Sequence, residues 1–211
     1  MTRLILWRHG QTAWNAAHRV QGQTDIDLSE IGRAQAAAAA SFLATLQPDA
    51  IVSSDLRRAA DTAAQLATLT GLDVALDPQL RERGYGEWEG CTDADLQPRW
   101  PEAYARWRRG EPVQAAGVEE NEEVAKRVLV ALQEAAERAP GGTTVVVCHG
   151  GAARLGTGAL LGWPAPVVRN FGGLANCHWT DLRLTPMRGW MLEAHNVGAL
   201  VGTVPPPAAS E

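Results

Sequence analysis

The sequence TTVVVCHGG at residues 143–151 places a run of β-branched side chains directly before a histidine and two glycines. Residues 4–10, LILWRHG, repeat this order near the start of the chain. Short apolar or β-branched runs of this kind predict strands, and each is followed by a turn or by a helical pattern. The alternation is typical of an α/β domain. We expect a three-layer α/β/α sandwich with a mostly parallel central sheet.

Strands and helices can be placed from these patterns. We predict strands at residues 4–7, 50–52, 74–76 and 143–148, and helices at residues 29–46, 54–69 and 121–138. Ser29 is the expected cap of the first helix, and Ser54 or Asp55 the cap of the second. Pro140 and the two glycines after it end the third helix.

Two segments fall outside this alternation. Residues 83–119 lack a regular period and interleave tryptophans with arginines, which predicts a small irregular lid over the edge of the sheet. The lid's candidates for contact with a substrate are Trp88, Trp100 and Trp107. Residues 203–211 contain three consecutive prolines and predict a disordered tail. The folded domain is therefore expected to span residues 1–202.

The composition excludes several classes of protein. With 211 residues and 45% apolar side chains, the chain can bury a core without disulfides or a structural metal. Its net charge of −5 argues against a surface that coats nucleic acid or anionic lipid. Three scattered cysteines and the lack of a signal-peptide pattern predict a cytoplasmic protein. We expect no metal, no cofactor, and no nucleic-acid or membrane partner, whereas a homodimer is left open.

Four residues able to bind or attack a phosphoryl group follow predicted strands. Arg8 and His9 follow the first, Arg58 lies near the start of the helix after the second, and His149 follows the last. Ligands bind at the carboxyl ends of parallel strands, where these side chains are expected to converge. Arginine matches phosphate oxygens, and a neutral imidazole can attack phosphorus. The set favours a phosphorylated substrate over a metal ion, and the alternative is that both histidines are ordinary core residues.

Five segments of the chain, taken in order, resemble one known family. They are residues 6–15, 27–32, 53–63, 80–90 and 148–151. Together they are similar to the signature of the histidine phosphatase superfamily, also called phosphoglycerate mutase-like. The resemblance extends from residue 3 to about residue 197. It implies a metal-independent phosphomonoester hydrolase that acts on a small phosphorylated metabolite.

The resemblance also implies roles for individual residues. His9 corresponds to the nucleophile that becomes phosphorylated, while Arg8, Arg58 and His149 correspond to ligands of the phosphoryl oxygens. Glu82 matches the proton donor, with Glu87 and Glu89 as competitors that are expected at the surface. The residues implied to line the substrate site are Asn15, Gln21, Gly22 and Gly150. Arg57 is expected to be solvated, and no catalytic role is expected for His18, His178 or His195.

The substrate and the reaction are less sharply indicated. The second histidine follows Glu82 by 67 residues, an interval that is short for the family and favours hydrolysis over phosphoglycerate mutase activity. Residues 53–63 and 172–180 resemble a group within the family, the actinobacterial glucosyl-3-phosphoglycerate phosphatases. This resemblance favours a glycosylated or plain phosphoglycerate, or a related sugar phosphate, as substrate. The alternatives are a mutase, a phosphatase of protein phosphohistidine or phosphotyrosine, and a phospholigand-binding module without activity.

One segment departs from the family. Residues 116–121 read AGVEEN where many members have Gly-Gly-Glu-Ser. If Glu120 faced the site, a substrate with a second negative group would be disfavoured on that side.

Overall fold

The computed structural model describes residues 1–113 and 117–199, so the predicted tail at residues 203–211 lies outside the described residues. The strands are β1 (Arg3–Arg8), β2 (Ala50–Ser53), β3 (Val74–Leu76), β4 (Thr143–Cys148), β5 (Trp179–Thr185) and β6 (Gly189–Val197). The helices are α1 (Ala13–Ala16), α2 (Glu30–Ala44), α3 (Arg57–Thr70), α4 (Asp93–Arg99), α5 (Pro101–Arg108), α6 (Asn121–Glu137), α7 (Gly150–Leu160) and α8 (Ala165–Asn170). Two short 3₁₀ helices span Pro78–Leu80 and Gly86–Trp88.

The strands form one mixed sheet in the order β3-β2-β4-β1-β5-β6. The first four of these pair in parallel, as predicted, whereas β5 and β6 add an antiparallel edge that the sequence patterns did not predict. Arg8 pairs with Cys148, and Ser53 pairs with Val147. Because β1, β2 and β4 therefore end at the same edge, the residues that follow them are neighbours.

Helices cover both faces of the sheet. Successive residues of β1 point to opposite faces, so Leu4 and Leu6 join one core and Ile5 and Trp7 join the other. On the first face, α6 and α7 bury Val128, Leu132, Ala152 and Ala153; on the second face, α2 and α3 bury Ala40, Leu43, Ala63 and Leu66. This confirms the three-layer α/β/α sandwich.

Ser29 caps α2 as predicted, because its hydroxyl accepts a hydrogen bond from the Gly32 N–H. The helix predicted at residues 54–69 is present as α3, but its predicted cap was wrong. This helix begins at Arg57, and its N-cap residue is Leu56, which makes no side-chain capping bond. The Ser54 hydroxyl instead contacts His149, a contact that belongs to the site described below.

The lid is not irregular, contrary to the prediction. Residues 83–113 include the second 3₁₀ helix, α4 and α5, which pack around a small core of their own. Trp88 is fully buried in this core with Leu96, and the indole of Trp100 lies 6.1 Å from that of Trp88. Trp88 is therefore a core residue and not a contact for substrate. Within the described ranges, none of the helices combines the length and apolar character needed to cross a bilayer.

Candidate active site

A pocket of about 470 Å³ opens at the shared end of β1, β2 and β4. Seven of the predicted site residues line it: Arg8, His9, Asn15, Gln21, Gly22, Arg58 and Glu82. His149 lies behind this lining and is fully buried, with its ring centroid 5.1 Å from that of His9. Gly150 lines a neighbouring cavity instead. The structure therefore brings together the two histidines and the two arginines, which were predicted to converge at the strand ends.

His9 is held in one tautomer by the chain itself. Its Nδ1 lies 2.7 Å from the carbonyl oxygen of Gly10. Because a carbonyl only accepts hydrogen bonds, Nδ1 carries the proton and Nε2 keeps its lone pair. Burial, with the charges of Arg58 and Arg8 added, holds the pKa of His9 well below its ordinary value. The imidazole is therefore neutral and able to act as a nucleophile at neutral pH.

Gly10 allows this geometry. A Cβ at that position would lie 2.9 Å from the carbonyl carbon of Gly32, at the start of α2, and still closer to its oxygen. The Gly10 N–H also donates to the hydroxyl of Thr62 on α3. Any side chain at position 10 would push the carbonyl that fixes His9 away from α2.

The ring of His149 is fixed from both sides. The Arg58 Nε–H donates to Nδ1 at 3.3 Å, so that nitrogen is unprotonated. Nε2 therefore carries the proton, which it donates to the Ser54 hydroxyl at 2.9 Å. Burial and the charge of Arg58 hold the pKa of His149 well below its ordinary value. Ser54 was predicted only as a helix cap, although its place directly after β2 could have identified it as a site residue.

Among residues 1–113 and 117–199, the two arginines are anchored by carbonyl groups and not by carboxylates. Arg58 donates to the carbonyl oxygens of Gly22 and Thr24, and Arg8 donates to that of Leu174. Burial lowers the pKa of Arg58 to about 10, so it remains a cation at neutral pH. Nε of Arg8 is buried and has no hydrogen-bond partner in the described part of the chain. A Cβ built on Gly150 would lie 3.5 Å from this nitrogen.

Glu82 is bound at the N-terminus of α7. Its carboxylate accepts hydrogen bonds of 2.9 Å from the backbone N–H groups of Arg83, Gly151 and Ala152. A Cβ at Gly151 would lie 2.6 Å from Oε1 of Glu82. Gly151 therefore makes room for this carboxylate.

Other predicted residues support the pocket walls. Gln21 accepts from the Thr12 hydroxyl, and Asn15 forms a capping box with the same threonine. Gly22 has a positive φ of 54°, and a Cβ there would overlap the carboxylate of Glu89. Its carbonyl holds Arg58.

The structure distinguishes Glu82 from Glu87 and Glu89, the two other glutamates considered for the role of proton donor. Glu87 is exposed, as predicted. Glu89 was predicted at the surface, which is wrong, because its half-buried carboxylate accepts from the backbone N–H groups of Gln23, Thr24 and Tyr85. It fixes a loop of the pocket and is not aimed at substrate. Arg57 is exposed and pairs with Asp25 and Asp27, which confirms that it is a solvated neighbour.

Several residues near the site were missed. Asn176, in the loop before β5, donates to the carbonyl oxygen of His9 and to Oδ1 of Asn15. Tyr85 and His18 line the pocket, and no motif marks them, whereas Trp107 lines it as its prediction as a lid contact requires. Glu120 lines a separate cavity on α6, so the expected repulsion of a second negative group does not arise in this pocket. Within residues 1–113 and 117–199, no group of three or more His, Cys, Asp or Glu side chains is arranged to hold a metal.

The histidine phosphatase superfamily (branch 1) matches residues 4–197 of the chain. The chain belongs to this family. It is 41% identical to the glucosyl-3-phosphoglycerate phosphatase of Mycobacterium tuberculosis over 95% of the chain and 97% of that protein. Identity to the protein of the same name from Mycolicibacterium vanbaalenii is 43%, over 85% of the chain and 83% of the relative.

Solved structures agree with this assignment. The mycobacterial glucosyl-3-phosphoglycerate phosphatase in complex with VO3 superposes with a TM-score of 0.87 at 40% identity, covering 94% of this chain and all of that one. The family and these relatives identify the chain as a phosphatase.

Proposed function

We propose that the chain hydrolyses a phosphomonoester of a phosphoglycerate, with glucosyl-3-phosphoglycerate as the leading candidate, through a phosphohistidine at His9. The observation that carries the proposal is the imidazole of His9. It is neutral, it lines a pocket between two carbonyl-anchored arginines, and its Nδ1–H is bound so that Nε2 is the free nucleophile. The relatives that bear the name glucosyl-3-phosphoglycerate phosphatase, matched over nearly the whole chain, support the substrate.

In the first step, Nε2 of His9 attacks phosphorus. The P–N bond forms, the ester P–O bond breaks, and the protonated carboxyl of Glu82 gives its proton to the departing alkoxide oxygen. Arg8 and Arg58 spread positive charge over the phosphoryl oxygens as the transition state forms.

In the second step, the Glu82 carboxylate takes a proton from water, and the water oxygen attacks phosphorus. The P–N bond breaks, which returns the neutral imidazole of His9 and releases inorganic phosphate. His149 lies beside His9, and Arg58 and Ser54 hold its ring in place through both steps. Arg8 and Arg58 supply the positive charge in both steps, so we expect activity that a chelator does not reduce.

Mutase activity is the second candidate, because the same phosphohistidine can return its phosphoryl group to an organic acceptor. The short interval between Glu82 and His149 favours water as the acceptor. The lid core around Trp88 and the aromatic lining by Tyr85 and Trp107 favour a small organic substrate over a phosphorylated protein segment.

The decisive experiment measures acid-labile phosphate on the protein after rapid mixing with glucosyl-3-phosphoglycerate and acid-free denaturation. We expect acid-labile phosphate on His9 in the wild type. In His9→Ala we expect no such phosphate and a loss of turnover of at least about a thousandfold. His178→Asn removes an imidazole outside the pocket and serves as the matched control. Undiminished turnover by His9→Ala would refute the proposal, and transfer of the phosphoryl group to added glycerate instead of to water would favour the mutase.

A further inference from the structure

Glu82 lies in a stretch of chain without regular secondary structure. Residues 81–85 form neither helix nor strand and connect the two 3₁₀ helices. The hydrogen-bond ladders that fix backbone carbonyls in helices and sheets do not extend through this stretch, so other groups must bind its carbonyls. The position of the proton donor therefore depends on side chains from other parts of the chain.

Arg127 on α6 binds this stretch from one side. Its Nη1 donates to the carbonyl oxygens of Gln79 and Arg81 at 2.6 Å and 2.7 Å, and its Nη2 donates to that of Glu82 at 3.0 Å. The next residue of α6, Val128, is fully buried in the core. One planar guanidinium thus binds three carbonyls from a helix whose position is fixed by packing.

Glu119 binds the same stretch from the other side. Its Oε2 accepts from the Gly84 N–H at 2.9 Å, and its own N–H donates to the Gly84 carbonyl oxygen at 2.8 Å. Its carbonyl oxygen accepts from Nε of Arg83 at 2.6 Å. Glu119 follows Val118, which is buried in the lid core. The two residues after the proton donor are therefore bound to the end of the lid.

The side chains of Glu119 and Arg127 also bind each other. Nε and Nη2 of Arg127 donate to Oε1 and Oε2 of Glu119 at 2.8 Å and 3.0 Å, and each side chain is 19% exposed. Burial raises the pKa of Glu119, but the hydrogen bonds from Arg127 and from the Gly84 N–H outweigh burial and leave the pKa below its ordinary value. The pair is therefore ionised and neutral as a whole, and it fixes the backbone around Glu82 without adding net charge there.

The carboxylate of Glu82 has little freedom at its other end. It accepts hydrogen bonds of 2.9 Å from the N–H groups of Gly151 and Ala152 at the start of α7. A Cβ at Gly151 would lie only 2.6 Å from Oε1. A shift of the backbone at residue 82 would therefore move the carboxylate off these groups and change its position in the pocket.

We propose that Glu119 and Arg127 are positioning residues for the proton donor, which hold the backbone on both sides of Glu82 so that its carboxyl meets the departing oxygen. The inference rests on the proposed function, because it presupposes that Glu82 protonates the leaving group. The described residues that line the pocket include neither Glu119 nor Arg127, so the pair acts through Glu82 and not on the substrate. A displaced acid slows the departure of those leaving groups that need a proton.

Two substrates that differ in their leaving group test this role. Glucosyl-3-phosphoglycerate releases an alkoxide, which needs a proton, whereas 4-nitrophenyl phosphate releases a phenolate that is stable without one. The readout is kcat/KM for each substrate, because this constant covers the steps up to cleavage of the P–O bond and excludes the later hydrolysis of phosphohistidine. We expect Arg127→Gln and Glu119→Gln each to lower kcat/KM by at least about tenfold for the first substrate and by less than about threefold for the second.

Arg3→Gln is the matched control. Arg3 and Asp181 form a bidentate ion pair of similar burial, which joins the start of β1 to β5, away from the strand ends that carry the pocket. Its loss should lower the free energy of unfolding and leave the ratio of the two kcat/KM values unchanged. Glu82→Gln provides the reference, because it shows the ratio of a protein that has lost the acid altogether.

The reference variant separates this inference from the proposed function. If Glu82→Gln changes the ratio but Arg127→Gln and Glu119→Gln do not, the inference is overturned and the proposed function stands. If Glu82→Gln leaves the ratio unchanged, Glu82 is not the acid, and both fail together. Should Arg127→Gln fail to fold, Arg127→Lys keeps the charge beside Glu119 but lacks the planar fork, and the same change in the ratio is expected.

Discussion

The phosphoryl pocket and a second cavity of about 710 Å³ beside it both present arginines, but they hold them differently. In the pocket, Arg8 and Arg58 come from the ends of strands or the first turn of a helix, and backbone carbonyls fix both. In the second cavity, Arg83 alone is fixed in this way by a carbonyl of the described residues, whereas Arg154 is half-exposed and Arg169 is exposed. A carbonyl orients a guanidinium without neutralising it, which leaves the full charge for a ligand.

Arginines paired with carboxylates have a different role in this chain. Arg81 pairs with Asp55, and Arg127 pairs with Glu119, so their charges are neutralised locally. Arg127 also donates to the carbonyl oxygens of Gln79, Arg81 and Glu82, which fixes the segment that carries the proton donor. Arginines of two kinds can therefore be distinguished by their partners. Those anchored by carbonyl groups keep their charge for a ligand, and those paired with carboxylates hold the backbone in place.

The largest effect that tests this contrast is expected for Glu82→Gln. This change keeps the size of the side chain but removes the acid, so kcat should fall by about a hundredfold to ten-thousandfold. Phosphate should still bind, because the anchored arginines are untouched. Steady-state kinetics and phosphate titration measure the two quantities, with Glu87→Gln as the exposed control. Loss of phosphate binding with little change in kcat would show instead that Glu82 only holds the N-terminus of α7.

The sequence predicted the pocket better than its surroundings, for physical reasons. Strand ends follow from local apolar runs, and parallel order then brings His9, Arg58 and His149 together. The lid helices were missed because Pro98 lies inside α4 and Pro101 begins α5, so neither helix is long enough to show a period.

Contacts between distant segments account for the other errors. Glu89 accepts hydrogen bonds from residues 23 and 24, far from it in the chain, and a glutamate beside a tryptophan gives no local sign of this. Likewise, the hydroxyl of Ser54 reaches His149 across 95 residues and does not cap the helix beside it. The antiparallel edge was missed because β5 and β6 carry charged residues within short apolar runs.

A smaller effect, the dependence of the free energy of unfolding on pH, should distinguish the pocket from the second cavity. Below the ordinary histidine value of 6.5, the unfolded chain takes up protons that His9 and His149 do not accept in the native state, because their pKa values are lowered. The free energy of unfolding should therefore be fully retained above that pH and fall as the pH decreases, by up to about 1.4 kcal/mol per pH unit for each histidine. Urea unfolding between pH 7 and pH 5 measures the slope.

The matched variants assign that slope to the pocket. His9→Asn should reduce it, because asparagine does not titrate, whereas Arg154→Gln in the second cavity should leave it unchanged. The described residues that line this cavity include no histidine. A slope that His9→Asn leaves intact would mean that other groups account for the loss of stability in acid.

The smallest effect is expected for Ser54→Ala, which removes the acceptor of the His149 Nε2–H. We expect the free energy of unfolding to fall by about 1 kcal/mol and kcat/KM to fall by less than about tenfold. Ser53→Ala is the matched control, because Ser53 is an equally buried hydroxyl that donates to the Ser54 carbonyl and does not contact the ring. Nitrogen chemical shifts of the imidazole should show the Nε2–H tautomer in the wild type and in Ser53→Ala, and both neutral tautomers in Ser54→Ala. A single tautomer in all three proteins would mean that Arg58 alone orients His149, and that the carbonyl-anchored arginine positions a neighbouring side chain as well as the phosphoryl group.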